Sequence, residues 1–379
     1  MPSKIKHGLI ISITVVALLF ASVMSSYSET TTYIYDEINR LIGVIYEDGS
    51  GVFYSYDASG NRITVGPDTV PPTGTITINS GAAETYTPVV TLTLTCSDNV
   101  GCSQMQFSND NVTYSTTEAY GTTKSWTLSA GYGTKTVYVK YKDVAGNWST
   151  PYSDTIDLIA DLYTKSLLHM NGVDGSTTFT DTASGGTHTW TASGNAQIDT
   201  AQSKFGGASG LFDGNGDYIW SADSSDWAFG SGDFTIDFWA KRTRSGVNEW
   251  IFGQGGPSLQ QFWGMQWFTN NYVYCNFRKA SGGGLVQLQS TITISDSNWH
   301  HYAYVRDGNT LRLFIDGVAR GTANVTGQSQ VDNAYKFAIG RLGEYNGYYF
   351  AGWVDEFRIS KGIARWTSNF TPPFSEYYP

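Results

Sequence analysis

The stretch WHHYAYVRDGNTLRLFIDGVAR, residues 299–320, brings two adjacent histidines together with three arginines and two aspartates. Adjacent histidines suggest a metal site or a catalytic base. The alternation of residue types indicates a β-strand, in which neighbouring side chains point to opposite faces. His300 and His301 therefore cannot face one substrate or one metal, and we assign both to the strand. The face that we expect to point inward carries His301 with Trp299, Ala303 and Val305, and the other carries His300 with Tyr302, Tyr304 and Arg306.

Paired carboxylates are a second possible source of chemistry, because retaining glycoside hydrolysis needs two of them about 5–5.5 Å apart. On a strand this requires glutamates four residues apart on one face, and no Glu-x-Asp-x-Glu or Glu-x-Asp-x-x-Glu sequence occurs. Asp355 and Glu356 are neighbours and should point to opposite faces. The glutamates after residue 160, no two of which share a predicted strand face, are Glu249, Glu344, Glu356 and Glu376. G-x-S-x-G and G-K-[ST] motifs are also absent, so the sequence predicts no enzyme.

The composition indicates which elements position these residues. The chain has 379 residues, which favours two or three domains, and 40% of them are apolar. Only 15% are charged, against about 25% in an average globular protein, while Gly (42) and Tyr (25) are abundant. This mixture is typical of strands joined by tight turns and predicts an all-β fold. The formal net charge of −10 without a basic run excludes nucleic acid as a partner.

The N-terminus predicts export. Lys4 and Lys6 precede an apolar run, Leu9–Phe20, and small polar residues follow up to Ser28. This order is typical of a secretory signal peptide spanning residues 1–28. An uncleaved anchor is the alternative, because residues 8–24 reach the lower limit for crossing a bilayer. The sequence contains no second hydrophobic segment, so we expect no membrane span in the mature chain and a secreted or cell-surface location.

Cysteine spacing predicts one disulfide. Cys96 and Cys102 lie close together in TCSDNVGCSQ, and an oxidising compartment would let them pair across a small loop. Cys275 is then left over, and we expect it to be a buried small hydrophobic residue rather than a reactive thiol.

Residues 29–66 contain a duplicated phrase, YIYDEINRLIGV from Tyr33 and YSYDASGNRITV from Tyr54, repeated after 21 residues. Each copy reads as a strand, a turn and a strand. The phrase resembles the YD repeat of RHS-type proteins. Two copies are fewer than the roughly three needed to bury a core. We therefore expect a vestigial pair or a short β-ribbon that encloses no cargo.

The linker GPDTVPPTG, residues 66–74, leads into the segment 67–159, which continues as short alternating runs bounded by turn residues. This pattern favours a sandwich, and SDNVGCSQM and YKDVAGNWS resemble the immunoglobulin-like modules of exported bacterial proteins. Two interpretations of the Asx residues in these motifs remain open. They could gather on Ca²⁺ or cap their own turns; the residues are Asp98, Asn99, Asp143 and Asn147.

Residues 160–379 hold more than ten candidate strands, enough for two stacked sheets in a jelly roll. The segments SKFGGASGLFDGNGDYI, GDFTIDFWAKR, WHHYAYVRDGNTLRLFIDG and GWVDEFRIS occur in this order. They resemble a laminin-G-like domain of the concanavalin A-like lectin/glucanase fold. The predicted organisation is a jelly roll at 160–379, a central sandwich and a short N-terminal repeat segment.

The resemblance implies a ligand-binding face on which Trp and Tyr stack on sugar rings and polar side chains read hydroxyl groups. Burial of these aromatic residues in the core is the alternative. Tyr348 and Tyr349 beside Gly347 are alternative contacts at the rim. The predicted ligand-binding residues are Trp263, Trp267, Tyr272, Tyr274, Asn276 and Arg278.

The resemblance also implies a structural Ca²⁺ that stabilises the sandwich without catalysing a reaction. Asp355 in GWVDEFRIS matches its carboxylate ligand, with backbone oxygens near Asn171 and Gly216. Asp213 is a further candidate ligand, although Asp213 and Asp217 could instead cap the turn between them.

Together these features predict an exported, non-enzymatic adhesion protein whose C-terminal domain binds a glycan or a cell-surface protein. The first alternative is a purely structural spacer of a cell surface or tail fibre. The second, which lacks the expected carboxylates, is a glucanase-like hydrolase.

Overall fold

The computed structural model describes residues 31–46, 51–259, 261–280 and 284–379, which form strands and turns with almost no helix. The predicted signal peptide, residues 1–28, lies outside the described residues. The chain divides into two compact units, residues 1–159 and 160–379. Among the described residues, no helix is long and apolar enough to cross a membrane. The predicted all-β fold class is confirmed.

The first unit contains three sheets. Strands β1–β4 form one antiparallel sheet in chain order, and two further sheets have the orders β10-β7-β5 and β6-β12-β11-β8-β9. The strands are β1 (Thr32–Tyr35), β2 (Leu41–Ile45), β3 (Gly51–Tyr56), β4 (Arg62–Gly66), β5 (Thr73–Ile78), β6 (Glu84–Thr85), β7 (Val89–Ser97), β8 (Cys102–Ser108), β9 (Glu118–Ala119), β10 (Thr123–Thr127), β11 (Gly133–Asp143) and β12 (Tyr152–Leu158), with a 3-10 turn at Asn79–Gly81.

The duplicated phrase folds as two hairpins with the same turn. In the first, Asp36 Oδ1 accepts hydrogen bonds from the backbone N–H groups of Ile38 (3.1 Å) and Arg40 (2.8 Å). In the second, Asp57 Oδ1 accepts the equivalent bond from Asn61 N–H (2.8 Å). The aspartate of each Tyr-Asp pair therefore caps its own turn. The predicted strand–turn–strand pattern is present twice, while the resemblance to RHS repeats stays a prediction.

The remaining strands of this unit form a sandwich of a three-stranded and a five-stranded sheet. Tyr141 on β11 donates its hydroxyl to the backbone oxygen of Thr75 on β5, at 2.6 Å, which ties the two sheets together. Cys96 and Cys102 form the predicted disulfide between the end of β7 and the start of β8. The immunoglobulin-like identity of this sandwich stays a prediction.

The second unit contains two eight-stranded sheets. The strands are β13 (Thr164–Leu168), β14 (Thr178–Phe179), β15 (Trp190–Ser193), β16 (Gln197–Asp199), β17 (Ser209–Asp213), β18 (Tyr218–Ser221), β19 (Phe234–Arg242), β20 (Glu249–Gly255), β21 (Phe262–Trp267), β22 (Tyr272–Arg278), β23 (Leu285–Thr293), β24 (Trp299–Asp307), β25 (Thr310–Ile315), β26 (Val318–Asn324), β27 (Phe337–Ile339) and β28 (Ala351–Lys361), with a 3-10 turn at Ser225–Trp227.

In the first sheet the order is β16-β17-β28-β19-β24-β25-β26, and β13 also pairs with β28. In the second sheet the order is β14-β15-β18-β27-β20-β21-β22-β23. Each sheet has a core face, which packs on the other sheet, and an outer face. This arrangement confirms the predicted two-sheet jelly roll.

Aromatic rings fill the space between the two sheets. Phe238 on β19 stacks on Phe357 on β28, with ring centroids 5.3 Å apart. It also meets Phe252 of the second sheet edge-on at 5.8 Å, and Phe252 stacks on Phe337 at the same distance. Such rings bury large apolar areas, so this cluster supplies much of the free energy of folding of the unit.

Trp263 and Trp267, predicted as ligand contacts, belong to this core. Both side chains are 0% exposed. Trp263 Nε1 donates to Gln254 Oε1 at 3.0 Å, and Trp267 meets Tyr302 edge-on with ring centroids 5.4 Å apart. Strand alternation fixes which residues share a face but not which face is buried. The structure therefore corrects the assignment of these two residues.

The histidine strand β24 has the predicted grouping but the opposite orientation. Tyr302 lies in the inter-sheet core, whereas His301 and Ala303 lie on the outer face of the first sheet. That face is covered in turn by the C-terminal segment, residues 363–379, from which Trp366 packs against it. His301 is therefore buried although it points away from the core, which the sequence pattern did not distinguish.

A buried polar network lies under the C-terminal segment. Arg358 donates two hydrogen bonds to Asp237, from Nε at 3.0 Å and from Nη2 at 2.9 Å. His301 Nε2 lies 3.0 Å from the Tyr377 hydroxyl. Burial alone would raise the pKa of Asp237, but the charge and hydrogen bonds of Arg358 and His301 hold it below its usual range.

A β-bulge interrupts β28 at Glu356. Asp237 pairs with Arg358 and Trp239 pairs with Asp355, so Glu356 and Phe357 together oppose one residue of β19. Glu356 has a φ of +51°. Because Phe357 still faces the core, Asp355 and Glu356 both lie on the outer face. The prediction that these two carboxylates point to opposite faces is wrong.

The core position of Trp263 predicts a large loss of stability in Trp263→Ala. We expect the free energy of unfolding to fall by about 3–5 kcal/mol, because a large cavity replaces the ring. Gln289→Ala on the exposed outer face of the same sheet should change it by about 0.5 kcal/mol at most. Urea unfolding followed by circular dichroism measures both, and equal effects would contradict the core assignment.

The buried pair predicts a second stability effect. Arg358→Met leaves the carboxylate of Asp237 buried without its cation and should cost about 3–5 kcal/mol at pH 7. Arg312→Met, which breaks the more exposed pair with Asp307, should cost about 0–1 kcal/mol.

The two effects should also differ in their dependence on pH. Because the pKa of Asp237 is lowered in the folded state, its contribution is present above about pH 4 and is lost as the pH falls. The difference between wild type and Arg358→Met should therefore narrow below about pH 4 in urea unfolding. A difference that stays constant down to pH 2 would show that Asp237 is not the group responsible.

Candidate ligand-binding face

Strands β20 to β23 present a continuous outer face on the second sheet. Alternate residues of β22 lie in the inter-sheet core; they are Val273, Cys275 and Phe277. The intervening residues therefore lie on the outer face. Four of the six predicted ligand-binding residues share this face: Tyr272, Tyr274, Asn276 and Arg278.

The antiparallel register arranges this face in two rows that cross the strands. The first row contains Trp250, Gln266, Tyr274 and Gln289, and the second contains Gly253, Gly264, Asn276 and Gln287. Directly paired residues have Cβ atoms about 4.5–5.5 Å apart, so the side chains of a row are in reach of one another. None of these three glutamines was predicted as a contact from the sequence. The alternation in LVQLQS was the signal that could have identified two of them.

Asn276 supports Gln287 from below. Asn276 is 0% exposed, whereas Gln287 and its neighbour Gln289 are exposed. Gln287 Nε2 donates to Asn276 Oδ1 at 3.0 Å. This bond leaves Gln287 Oε1 as an outward acceptor. Asn276 Nδ2 has no partner among the described residues, so a buried donor remains unused beneath the face.

Tyrosines lie beside these amides. Tyr274 is held by Asn270 Nδ2, which donates to its hydroxyl at 2.9 Å, and by an edge-on contact with Phe268 at 4.5 Å. Tyr272 is half-buried at the end of the same strand. Exposed amides next to a fixed aromatic ring combine hydrogen-bond donors and acceptors with an apolar surface.

Leu342 covers the centre of the face. It packs with Trp250 and Phe262 in a small cluster outside the inter-sheet core. Gly253 makes this possible, because a Cβ at that position would lie 2.6 Å from Leu342 Cδ1. The backbone N–H of Gly343 then donates to Gly253 O at 3.1 Å. The cover separates the amide side of the face, on β22 and β23, from a second side near β18.

The remaining predicted contacts lie at the edges of this cover. Arg278 Cζ sits 5.0 Å from the ring centroid of Phe262. On the other side, Tyr348 is 46% exposed. Tyr349 stacks on Tyr218 of β18, with ring centroids 6.3 Å apart. The two tyrosines beside Gly347 therefore belong to the side of the face near β18.

Two of the four predicted calcium ligands lie beside one loop. Asp355 Oδ2 accepts hydrogen bonds from the backbone N–H groups of Lys204 (2.8 Å) and Phe205 (3.0 Å). Gly206, next in that loop, approaches Asn171 so closely that a Cβ would lie 2.1 Å from Asn171 Oδ1. Asp355 Oδ1 is buried without a partner among the described residues. Burial raises the pKa of Asp355 to about 7.

A cluster of three ionisable side chains, His169, Glu356 and Glu376, lies near this loop. His169 Nδ1 is 2.9 Å from Glu356 Oε1, and a ligand atom of Glu376 lies within 4.8 Å of both residues. Glu376 also accepts a hydrogen bond from Asn171 Nδ2 at 2.5 Å. Glu356 Oε2 accepts from the backbone N–H of Tyr377 at 2.8 Å, so this carboxylate anchors the C-terminal segment.

Asp213 and Gly216 lie elsewhere, in the turn between β17 and β18. Asp213 pairs with Ala351, four residues before Asp355 and therefore about 13 Å from it along the strand. The backbone N–H of Asp213 donates to Asp217 Oδ2 at 2.9 Å. This bond is the one expected if Asp213 and Asp217 cap the turn between them, which was the alternative to calcium binding. Asp213 and Gly216 therefore do not converge with Asp355 on one ion.

In the first unit, Asp98 and Asp143 do converge, with Asp68 as an unforeseen third carboxylate. One ligand oxygen of each lies within 4.8 Å of the others. Asn147 caps Asp143, donating from its backbone N–H and from Nδ2, each at 2.8 Å. Burial, together with the charges of Asp143 and Asp68, raises the pKa of Asp98. Asp98 Oδ1 accepts from the backbone N–H of Val100 at 2.9 Å, so turn-capping interactions are present in this cluster. Asn99 Nδ2 donates instead to Asp68 Oδ1, 31 residues earlier in the chain, at 3.2 Å.

Comparisons with known proteins agree with the jelly roll. Residues 213–365, fewer than half of the chain, match the family model Laminin_G_3, described as the concanavalin A-like lectin/glucanases superfamily. No curated protein matches the chain.

The solved structures that match the chain share little sequence with it. The binding domain of Paraclostridial Mosquitocidal Protein 1 is 16% identical, with a TM-score of 0.43 over 53% of this chain and 49% of that one. Domain 4 of AbnA, a GH43 extracellular arabinanase from Geobacillus stearothermophilus solved with arabinotriose, is 16% identical, with a TM-score of 0.37 over 53% of this chain and 93% of that one. The botulinum neurotoxin serotype D ligand binding domain, solved with N-acetylneuraminic acid, is 14% identical, with a TM-score of 0.40 over 54% and 49%.

The chain spans about half the length of the two toxin domains that it matches. At these TM-scores the likenesses carry no conclusion about ligand or activity. The family match and the two eight-stranded sheets agree on the architecture. Residues 213–365, within the two-sheet jelly roll, are therefore similar to the concanavalin A-like lectin/glucanases superfamily.

Proposed function

We propose that this chain is an exported, non-enzymatic adhesion protein whose jelly roll binds glycan through the amide side of the outer face. The observation that carries the proposal is the pair of exposed amides on β23, Gln287 and Gln289, beside the fixed Tyr274 on β22. Gln289 offers two N–H donors and an acceptor, and Gln287 offers Oε1 and the N–H that does not bond Asn276, which suits the hydroxyl groups of a sugar. Tyr274 is only 7% exposed, so the half-buried Tyr272 on the same strand offers the apolar surface for a sugar face.

The absence of catalysis is part of the proposal. The two adjacent carboxylates that the bulge places on one face, Asp355 and Glu356, are both 0% exposed. Each is occupied by hydrogen bonds to backbone N–H groups of loop 204–205 or of the C-terminal segment. A general acid and a nucleophile must reach the scissile bond, so this burial argues against hydrolysis at this pair.

The disulfide between Cys96 and Cys102 supports the proposed export, because disulfides persist in oxidising compartments. The signal peptide at residues 1–28 and the secreted or cell-surface location of bacterial type remain part of this proposal.

A glycan array with the purified full chain tests the function, followed by calorimetry with the best neutral glycan. We expect Gln287→Ala and Gln289→Ala each to weaken the Kd about fivefold, because each removes a hydrogen bond worth about 1 kcal/mol. Thr322→Ala, an exposed residue on β26 of the first sheet, is the matched control and should bind as wild type does.

Two results would contradict the proposal. A blank array would favour the purely structural spacer instead. Release of reducing sugar from any bound glycan would show that the protein is a hydrolase.

We further propose that Asp355 holds a structural Ca²⁺ through Oδ1. The buried, unpartnered oxygen supports a cation there, because an ionised carboxylate without a partner is costly to bury. Calcium takes about six to eight oxygen ligands, and Asn171 would offer its side-chain oxygen or its backbone carbonyl from the neighbouring segment. Such an ion would stabilise the jelly roll.

Differential scanning fluorimetry of the full chain tests this proposal. Calcium should raise the Tm of the wild-type jelly roll, by about 2–4 °C for each kcal/mol of binding free energy, and chelator should reverse the rise. Asp355→Asn should abolish the response, because it removes the charge. Asp213→Asn, in the separate turn cap, should retain it. A wild-type Tm that chelator leaves unchanged would end the calcium proposal.

A further inference from the structure

The side of the outer face near β18 carries a cluster of rings and cations that the proposed function does not use. Tyr218 and Trp220 alternate with the core residue Ile219 along β18, so both rings lie on the outer face about 7 Å apart. We name the cluster the cationic rim; it comprises Tyr218, Trp220, Lys336, Arg341, Tyr348 and Tyr349.

Each of the two rings on β18 has a cation directly above it. Lys336 Nζ lies 3.8 Å from the ring centroid of Trp220. Arg341 Cζ lies 3.5 Å from that of Tyr218. These are short cation–π distances, well inside the limit of about 6 Å at which the attraction operates. The rings hold the two cations side by side at the surface of one strand.

Neither cation has an acidic partner among the described residues. Arg341 is only 9% exposed, and its Nε has no hydrogen-bond partner. An unpartnered Nε also occurs on the more exposed Arg278, Arg312 and Arg320. The other deeply buried arginines of the jelly roll are satisfied. Arg358 pairs with Asp237, and Arg306 donates to three backbone carbonyls. A buried cation without an anion is costly. In a chain of net charge −10, this arrangement indicates that the anion comes from a ligand.

The backbone beside the cations supports a ligand site. Tyr348 is 46% exposed and has a φ of +55°, which is strained for a residue other than glycine. The backbone N–H of Trp250 donates to Tyr348 O at 2.7 Å, which holds this conformation. Tyr349 stacks on Tyr218 next to it. The exposed ring of Tyr348 packs on Tyr345, with ring centroids 5.7 Å apart. It therefore stays exposed at the cost of backbone strain, next in the chain to Tyr349, whose ring stacks on the one that carries Arg341.

We propose that the cationic rim binds an acidic saccharide. Its carboxylate or sulfate group pairs with Arg341 and Lys336, and its ring packs against the exposed Tyr348. The inference rests on the proposed glycan-binding function and names the class of glycan. A planar guanidinium that lies over Tyr218 still offers its N–H groups at the edge, where a carboxylate or a sulfate can accept two of them.

The test uses the full chain and three probes in calorimetry: trigalacturonic acid, its carboxyl-reduced neutral analogue, and a sulfated galactan oligosaccharide. We expect at least one acidic probe to bind at least tenfold more tightly than the neutral analogue, with an affinity that falls as NaCl rises. Tighter binding of the first probe identifies a carboxylate as the recognised group, and tighter binding of the third identifies a sulfate.

Variants locate the anion site. Lys336→Gln and Arg341→Gln should each weaken binding of the acidic probe about tenfold while leaving the neutral analogue unaffected. Arg312→Gln, whose guanidinium pairs with Asp307 on the first sheet, is the matched control and should bind as wild type does. If Arg341→Gln fails to fold, Lys336→Gln alone tests the anion site. Lys336 is only half-buried, so its substitution should leave the fold intact.

The outcomes separate this inference from the proposed function. Equal binding of acidic and neutral probes, or wild-type affinity of both rim variants, overturns the cationic rim while glycan binding at Gln287 and Gln289 stands. If neither these probes nor any glycan of the array binds, both proposals fail together.

Discussion

Burial of one face of each sheet against the other is the constraint on which the structure of the second unit depends. Phe238 of the first sheet meets Phe252 of the second edge-on across the interface, and Phe252 stacks on Phe337 of its own sheet. Because residues alternate along a strand, burying one set of side chains also fixes which residues face outward. The amide rows and the two β18 rings of the cationic rim are therefore made of the residues that alternate with core residues and point outward. They exist where they do because Trp263, Cys275 and Ile219 point inward.

The outer faces of the two sheets differ in how they are covered and in how their charged groups are paired. The first sheet has its outer face covered by residues 363–379 and holds its charges there as closed pairs, such as Asp237 with Arg358. In the second sheet Leu342 covers the middle of the outer face, and polar or cationic groups lie on both sides of it. A face that is sealed and internally paired favours stability. A face with unused donors and unpaired cations favours recognition.

The sequence predicted the architecture better than the orientation of individual strands. Turn residues, alternation and composition were sufficient for the all-β class, the two-sheet jelly roll and the disulfide. Trp263 and Trp267 were misassigned because alternation leaves the choice of buried face open. His301 was misassigned for a different reason, since the segment that covers it lies more than 60 residues away in the chain.

Parts of the candidate face were also beyond sequence reasoning. Tyr272, Tyr274, Asn276 and Arg278 were correctly placed together because they lie on one strand. Gln266 and the two glutamines of β23 join them only through cross-strand register, which a single strand does not encode. Lys336 and Arg341 lie far from β18 in the chain, so their positions over its rings depend on tertiary structure.

The bulge at Glu356 shows how this fold can change the set of groups on a surface by changing length. One additional residue in β28 shifts the phase of the strand, so two successive carboxylates share a side while the apolar residues before and after them keep their places in the core. No side chain has to be exchanged for this to happen. Insertion or deletion of a single residue at the same point would regroup the neighbours of His169 and Lys204 without disturbing the packing on the other side. For proteins of this architecture, gaps within strands of an alignment therefore carry functional information that substitution patterns do not.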